Sequence, residues 1–348
     1  MGSLECSAEV IILKKMIELR ATELTGIIGR ESMNYLEERV GSAKWHEYRK
    51  LYDQASCLEI ETDYPLQLDI ELNDSCNLKC PMCPLSVETN ENKGRETWFK
   101  FEKFKEIIEE GVLHGLKALK LNYLNEPLIR EDIFDFIAYA KKAGVCDVYL
   151  STNGVLLTES AGKKLIESGL DRIQISIDAF EEETYDEIRP GSDFFKVIKN
   201  TETLIRLRED CGSKFPLIRV NFVRTELNEA ELEKFIDYWY PKVDMIGIQE
   251  MIKPTISSRD LRSETTKKKW ESGFSCSFPY KLLTINCEGD ILPCCTFYAE
   301  KMKLGNIATD SIYEVWRSKP MKALRELHRH KKYFENEICK ACVDNSVF

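Results

Sequence analysis

No apolar run in this chain approaches the roughly 20 residues that a membrane span requires. The stretch Val10-Ile11-Ile12-Leu13 ends at once in Lys14-Lys15. The N-terminus also lacks the basic region and long apolar segment of a secretory signal, so a cytoplasmic address and no membrane partner are expected. Positive charge is not in excess either. Lys and Arg total 49 against 59 Asp and Glu, a net charge of −10. That argues against nucleic acid or an anionic surface as the main partner. The length, 348 residues, suits two or three packed units, and 43% hydrophobic with 31% charged residues is ordinary for a soluble protein. Cysteine, by contrast, is abundant. There are 13, most of them in two groups: Cys76, Cys80 and Cys83, then Cys276, Cys287, Cys294, Cys295, Cys339 and Cys342. A disulfide scaffold spreads its cysteines through a small loop-rich domain. This grouping reads as two metal sites.

The chain is organised around Asp74-Ser75-Cys76-Asn77-Leu78-Lys79-Cys80-Pro81-Met82-Cys83-Pro84, which follows a strand-like run. Cys-x3-Cys-x2-Cys places three soft ligands on one tight loop. Thiolates suit zinc, Cu(I) or iron–sulfur clusters. A closed zinc site wants a fourth ligand, and His46 and His114 are both distant in sequence. Three thiolates on a four-iron cubane instead leave one iron open for a substrate or cofactor.

This loop resembles the cluster loop of the radical S-adenosylmethionine (SAM) superfamily. The resemblance implies a [4Fe–4S] cluster held by Cys76, Cys80 and Cys83, whose open iron chelates the amino and carboxylate groups of SAM. One electron then yields methionine and a 5′-deoxyadenosyl radical that abstracts hydrogen from a substrate. Met82 stands where the family usually has an aromatic residue, an apolar and adaptable replacement.

Residues 1–65 read as a helical extension. Val10, Ile11, Leu13, Ile17 and Leu24 form one apolar face, and Met33, Leu36, Val40, Trp45, Tyr48 and Leu51 a second. From residue 66 the pattern becomes strand–helix alternation. Strands are expected at 67–72, 118–123, 147–152, 172–178, 217–223 and 245–250, several of them near-continuous apolar runs as for strands covered on both faces. Helices lie between them, with Gly111, Gly144 and Gly169 at their C-caps. Crossovers of this length imply a parallel sheet. The resulting fold class is α/β, a partial (β/α)6 barrel over residues 66–255 like that of radical SAM enzymes.

Barrel chemistry lies at the C-terminal strand ends. There the family resemblance marks Asn125 and Glu126 in an Asn-Glu-Pro turn as contacts to the SAM amino group, although the usual pair of glycines is missing. It marks Ser176 and Asp178 as contacts to the ribose or carboxylate, since residues two apart on a strand share one face. Arg189 matches a position that pairs with the SAM carboxylate. Gln249, Glu250, Arg259 and Arg262 are candidates to face the substrate, with Glu250 and Arg259 as the catalytic candidates. Solvated strand-end and loop groups are the plainer alternative for each.

Residues 256–348 form the last unit. Tyr280–Asn286, the turn Glu288-Gly289-Asp290 and Ile291–Pro293 make a hairpin signature. Leu304-Gly305-Asn306-Ile307, a Ser311-capped helix with Trp316, and Cys339-x2-Cys342 follow. This resembles the auxiliary-cluster domain called SPASM, or its shortened form Twitch. The implied ligands of one fully ligated [4Fe–4S] cluster are Cys276, Cys294, Cys339 and Cys342, with Cys287 and Cys295 spare and a four-cysteine zinc site as the alternative. With six residues after Cys342, no second auxiliary cluster is expected.

A fully ligated second cluster cannot bind SAM but can accept an electron, so the expected reaction is an oxidation. The reading is a radical SAM oxidoreductase acting on a small polar molecule, a sugar or cyclitol alcohol, with flavodoxin or ferredoxin as electron donor. A radical SAM peptide maturase is the alternative. A non-catalytic zinc-stabilised binding module is the alternative of another class.

Overall fold

The computed structural model describes residues 25–29, 33–87, 97–254, 260–262 and 274–346. Its centre is one sheet of ten strands among the described residues: β1 Thr25–Gly29, β2 Gln67–Ile70, β3 Ala118–Lys120, β4 Asp147–Thr152, β5 Arg172–Ser176, β6 Leu217–Arg224, β7 Met245–Glu250, β8 Leu282–Ile285, β9 Asp290–Leu292 and β10 Gly305–Asn306. The order is β1-β7-β6-β5-β4-β3-β2-β8-β9-β10. Strands β2 to β7 are parallel and lie in sequence order, each pair joined by a crossover that carries a helix. All six expected strands are present. No helix among the described residues is long and apolar enough to cross a membrane.

The side-chain period of two divides the barrel strands. Outward residues such as Leu68, Ile70, Val148, Leu150, Ile218, Val220 and Phe222 join the main core beneath the helices. The alternate positions, among them Gln67, Asp69, Arg219 and Asn221, are polar yet buried. The strands are covered on both faces as expected, but only the outward face is uniformly apolar. The inner face encloses a polar interior, which suits a binding chamber better than a packed core.

Helix ends follow local chemistry. Thr158 accepts from the Ala161 N–H to cap the helix Glu159–Glu167, and Asp193 accepts from the Lys196 N–H to cap Phe194–Asp210. Gly111 is not a C-cap. The helix Phe101–His114 continues past it and ends at Gly115, in the left-handed region with φ 97°. Gly111 is needed for packing instead, because a Cβ there would lie 2.8 Å from Leu116 Cδ2.

Two corrections concern the flanking segments. The stretch 25–29 is not helical. It is β1, antiparallel to β7 in the register Thr25↔Gln249 to Gly29↔Met245. An open barrel leaves the β7 edge with unpaired backbone groups, and β1 satisfies them, which outweighs its weak helical pattern. The helices Met33–Val40 and Ser42–Ser56 do form, and Leu36, Trp45 and Tyr48 pack on Ala118, Leu217 and Met245. Those are the first residues of β3, β6 and β7, so the helix pair plugs the N-terminal end of the barrel. At the other flank the hairpin β8–β9 does not stand apart. β8 is parallel to β2, and the C-terminal unit continues the barrel sheet. Trp316 is fully buried and its indole N–H donates to the Thr62 carbonyl at 2.7 Å.

Candidate functional site

The C-terminal strand ends open into a cavity of about 370 Å³. Cys76, Cys80 and Cys83 line one side of it, together with Met82. The opposite and lower walls come from β3 to β7 and include Lys120, Gln174, Ser176, Asn221, Val223, Gln249 and Glu250. Asn125, Glu126 and Arg189 complete the ring. Residues from 76 to 252 thus meet at one mouth.

The cysteine loop is fixed by a network that the sequence reading missed. Asn73, fully buried, donates to the Ser75 carbonyl at 3.1 Å and to the Glu126 carbonyl at 3.3 Å. Its own carbonyl oxygen accepts from Asn125 Nδ2 at 2.7 Å, and the Glu126 N–H donates to the Ser75 carbonyl. Asn73 thereby ties the loop after β2 to the turn after β3. Asn153, at the end of β4, donates to Asn77 Oδ1 at 2.8 Å and approaches Cys76 Sγ at 3.8 Å. An Asn a few residues past a strand gives no sequence signal of its own.

Glu126 lines the cavity, but its carboxylate is already engaged. It accepts from the Asn153 N–H at 2.7 Å, the Thr152 hydroxyl at 2.7 Å and the Leu128 N–H at 3.1 Å. A carboxylate has about four lone-pair directions, so roughly one remains for a ligand. Burial pushes its pKa up, and these three donors oppose the rise.

Asp178 does not share the cavity with Ser176. β5 ends at Ser176, and Asp178 has φ 65°, so the alternation of faces breaks between them. Its Oδ2 accepts from Arg189 Nε at 3.0 Å and from Nη2, and its Oδ1 accepts from the Val223 N–H at 2.8 Å. Asp178 is a positioning residue behind Arg189. Arg189 faces the cavity and brings Nη1 to 3.9 Å from Cys80 Sγ. Burial alone would lower the Arg189 pKa, but Asp178 and Cys80 raise it, so it stays charged.

At the rim, Glu250 pairs with Arg224 across the β6–β7 ladder. Burial pushes the Glu250 carboxyl up while Arg224 opposes it. Arg262 is held by Asp260 at 2.7 Å. Arg259 lies outside the described residues.

A second, smaller cavity of about 40 Å³ is lined by Cys276, Cys294, Cys339 and Cys342. His328, which the sequence reading did not single out, lines it too. Its Nδ1 accepts from the Cys276 N–H at 3.2 Å, so the ring proton sits on Nε2, 3.5 Å from Cys339 Sγ. Burial pushes the His328 pKa down to about 4 and the Cys342 thiol up to about 11. Cys287 and Cys295 line neither cavity. The Cys287 thiol donates to the Thr97 carbonyl at 3.0 Å.

The donor sets fit iron–sulfur clusters. Three thiols face one cavity whose remaining wall offers polar groups, and four thiols converge in the other with no carboxylate among its lining residues. Burial holds the thiols of Cys76, Cys80 and Cys83 protonated in the free protein, and a bound metal deprotonates such ligands. Among the described residues, no three His, Cys, Asp or Glu side chains close on a single ion.

Comparison with known proteins agrees with this chemistry. The profile of the radical SAM superfamily matches residues 70–237, and that of an iron–sulfur cluster-binding domain, SPASM, matches residues 276–343. A GTP 3′,8-cyclase of Alkaliphilus oremlandii is 32% identical over 185 residues, 52% of this chain and 55% of that one. The chain spans about half the length of the curated relatives it matches. Among solved structures, Streptococcus suis SuiB bound to precursor peptide SuiA aligns with TM-score 0.61 at 16% identity, over 79% of this chain and 69% of that one. BtrN in complex with AdoMet and 2-DOIA aligns with TM-score 0.51 at 18% identity, over 80% and 92%. At such identities the likeness is one of fold. The profile matches bring with them a SAM-binding [4Fe–4S] cluster, SAM and an auxiliary iron–sulfur cluster, and the zinc alternatives give way. The chain belongs to the radical SAM superfamily, with an iron–sulfur cluster-binding domain of the SPASM type over residues 276–343.

Proposed function

We propose that the protein is a radical SAM oxidoreductase that oxidises a carbinol C–H of a small polar substrate, a sugar or cyclitol alcohol, to a ketone. Cys76, Cys80 and Cys83 would hold the SAM-binding cluster, and Cys276, Cys294, Cys339 and Cys342 the auxiliary one. When bound, the clusters supply the electron that divides SAM into methionine and a 5′-deoxyadenosyl radical, and an acceptor for the electron left on the substrate. The rest falls to the chain. Arg189, held charged by Asp178, suits the SAM carboxylate, and the free lone pair of Glu126 suits its amino group. Ser176 on the strand wall suits the ribose. Glu250 is the carboxylate nearest the rim that can take the hydroxyl proton, with Arg224 holding its orientation. Arg259 is kept as a substrate contact, and a flavodoxin or ferredoxin as the reductant.

One observation carries the oxidation. Tyr123 lines the SAM-side cavity, and its hydroxyl donates at 2.9 Å to the carbonyl of Thr296, two residues beyond Cys294. Tyr123 also packs with Leu292, Ala299 and Cys294. The two thiol sites are thus neighbours through one side chain, as electron removal from a substrate in the first cavity requires. The cyclase activity of the sequence relatives is not carried over, because the match spans only half of their length.

The test is anaerobic reconstitution with polyol substrates. Wild-type protein should form 5′-deoxyadenosine and a ketone, Cys76→Ala neither. Cys294→Ala should still cleave SAM but lose the ketone. Wild-type rates of SAM cleavage by Cys76→Ala would end the enzyme reading, and an unchanged ketone yield from Cys294→Ala would end the acceptor role. The peptide-maturase reading is the alternative, as SuiB bound to precursor peptide SuiA shares the fold. Stimulation of SAM cleavage by a short peptide but by no polyol would favour that reading.

A further inference from the structure

Five arginines are buried among the described residues: Arg130, Arg189, Arg208, Arg219 and Arg325. Four have a carboxylate partner, in Asp132, Asp178, Asp244 and Glu61. Arg219 has none among the described residues, and its Nε is buried without a hydrogen-bond acceptor. The charged group that acts on it is another arginine, Arg172, and burial together with that neighbour lowers its pKa to about 10, so it remains a cation at neutral pH. An isolated buried charge is among the costliest groups a core can contain.

Position gives this cation a purpose. Arg219 lies on the inward face of β6 with Asn221 and Val223, both of which line the large cavity. Its guanidinium lies against β7 at Gly247, the register partner of Asn221. A Cβ on Gly247 would stand 2.1 to 2.4 Å from the guanidinium atoms, so the missing side chain makes the space the cation occupies. One step up the ladder are Val223 and Gln249, again cavity walls. Asn221 Oδ1 is also buried without a donor. Below, Trp45 and Tyr48 close the barrel end, while Asn221, two residues on from Arg219, faces the cavity directly.

We propose that Arg219 and Asn221 form the anchoring subsite for an oxyanion of the substrate, a carboxylate or phosphate monoester carrying a neighbouring hydroxyl. The oxyanion accepts from the guanidinium, and the hydroxyl, or the P–OH of a monoanionic phosphate, donates to Asn221 Oδ1. The proposal rests on the reading that the large cavity holds the substrate, and it narrows the substrate from polar to anionic. Arg219 would set how deep the substrate sits, and so which C–H meets the radical.

The probes are inorganic phosphate, glycolate and, as the uncharged control, glycerol. Each is titrated into anaerobically reconstituted, SAM-bound protein and followed by thermal unfolding and calorimetry. The variants are Arg219→Met, which removes the cation, and Gly247→Ala, which displaces it. Phosphate or glycolate should raise the wild-type melting temperature saturably, and glycerol should not. Phosphate alone would identify a phosphoester substrate and glycolate alone a hydroxy acid. Both variants should bind at least ~10-fold more weakly, the loss of one charge-assisted bond. Without anion, Arg219→Met should melt no lower than wild type, since an unpaired charge has been removed. Equal anion effects on wild type and Arg219→Met, no anion effect at all, or a markedly lower melting point of the anion-free variant would each overturn the proposal. 5′-Deoxyadenosine formation by the same wild-type preparation is read separately. Its failure alongside Arg219-dependent anion binding would sink the radical reaction and leave the anion subsite standing.

Discussion

The pair Asp178–Arg189 lends itself to a quantitative test, because both side chains are almost wholly buried and Asp178 was expected to touch SAM itself. Asp178 is 0% exposed and Arg189 8%. Asp178→Asn keeps the shape and can keep the bond from the Val223 N–H at 2.8 Å. Its amide NH2 then faces the guanidinium, donor against donor, and Arg189 is left buried without a counter-charge. Breaking a buried pair from one side costs about 3–5 kcal/mol. At ~2 °C per kcal/mol for a body of this size, the melting temperature should fall by ~6–10 °C. Arg189→Met should cost about as much by stranding the carboxylate. The double variant should not cost the sum, because both members of the pair are then uncharged; a coupling of ~2–3 kcal/mol is expected for groups in direct contact. Thermal unfolding of the four proteins gives the cycle, and SAM titration of the same samples gives the second readout. SAM binding should weaken at least ~10-fold in each single variant, the loss of one charge-assisted contact. If the two single effects add to within ~0.5 kcal/mol, the residues act independently and the positioning role assigned to Asp178 is wrong.

Other consequences are open to measurement. Asn73→Ala strands the Asn125 amide and frees the cysteine loop from the turn after β3; a loss of ~2–3 kcal/mol and weaker iron loading are expected, measured by unfolding and iron–sulfide analysis. A fully loaded variant of wild-type stability would refute the stapling role. His328 is neutral in the fold, with its pKa lowered by burial from 6.5 to about 4. Its contribution is therefore present above pH 6.5 and lost as pH falls toward 4, up to about 3 kcal/mol. Hydrogen exchange of the helix Lys319–Arg329 in metal-free protein should speed up between pH 7 and 5 beyond its intrinsic pH dependence, and His328→Gln should abolish that excess. Deleting residues 1–32 removes β1 and exposes the β7 edge, so concentration-dependent association by light scattering should rise. A monomeric, equally stable truncation would show that β1 does not protect that edge.

Cysteine spacing and the alternation of apolar runs with helical segments were enough to indicate the class of fold, the six parallel strands and the gathering of thiols in two groups. Those signals are local: three cysteines within eight residues, runs of β-branched residues, a Gly289-Asp290 turn. The reading went wrong where long-range pairing overrode local pattern. Residues 25–29 became a strand because the barrel offered them an open edge. Gly111 looked like a cap but is a packing contact, since the helix runs one more turn to Gly115.

What the linear chain could not disclose is which polar groups are spent on one another. Asp178 and Ser176 are two apart and would share a face on any regular strand, yet a left-handed backbone at Asp178 turns it toward Arg189. Glu126 was recognised by its place after β3, but only the folded chain shows its carboxylate already accepting three bonds. Arg219 is one arginine among many in the sequence. Its solitude emerges only in three dimensions, because a charge is unpaired by virtue of what surrounds it, and its surroundings come from strands separated by up to a hundred residues.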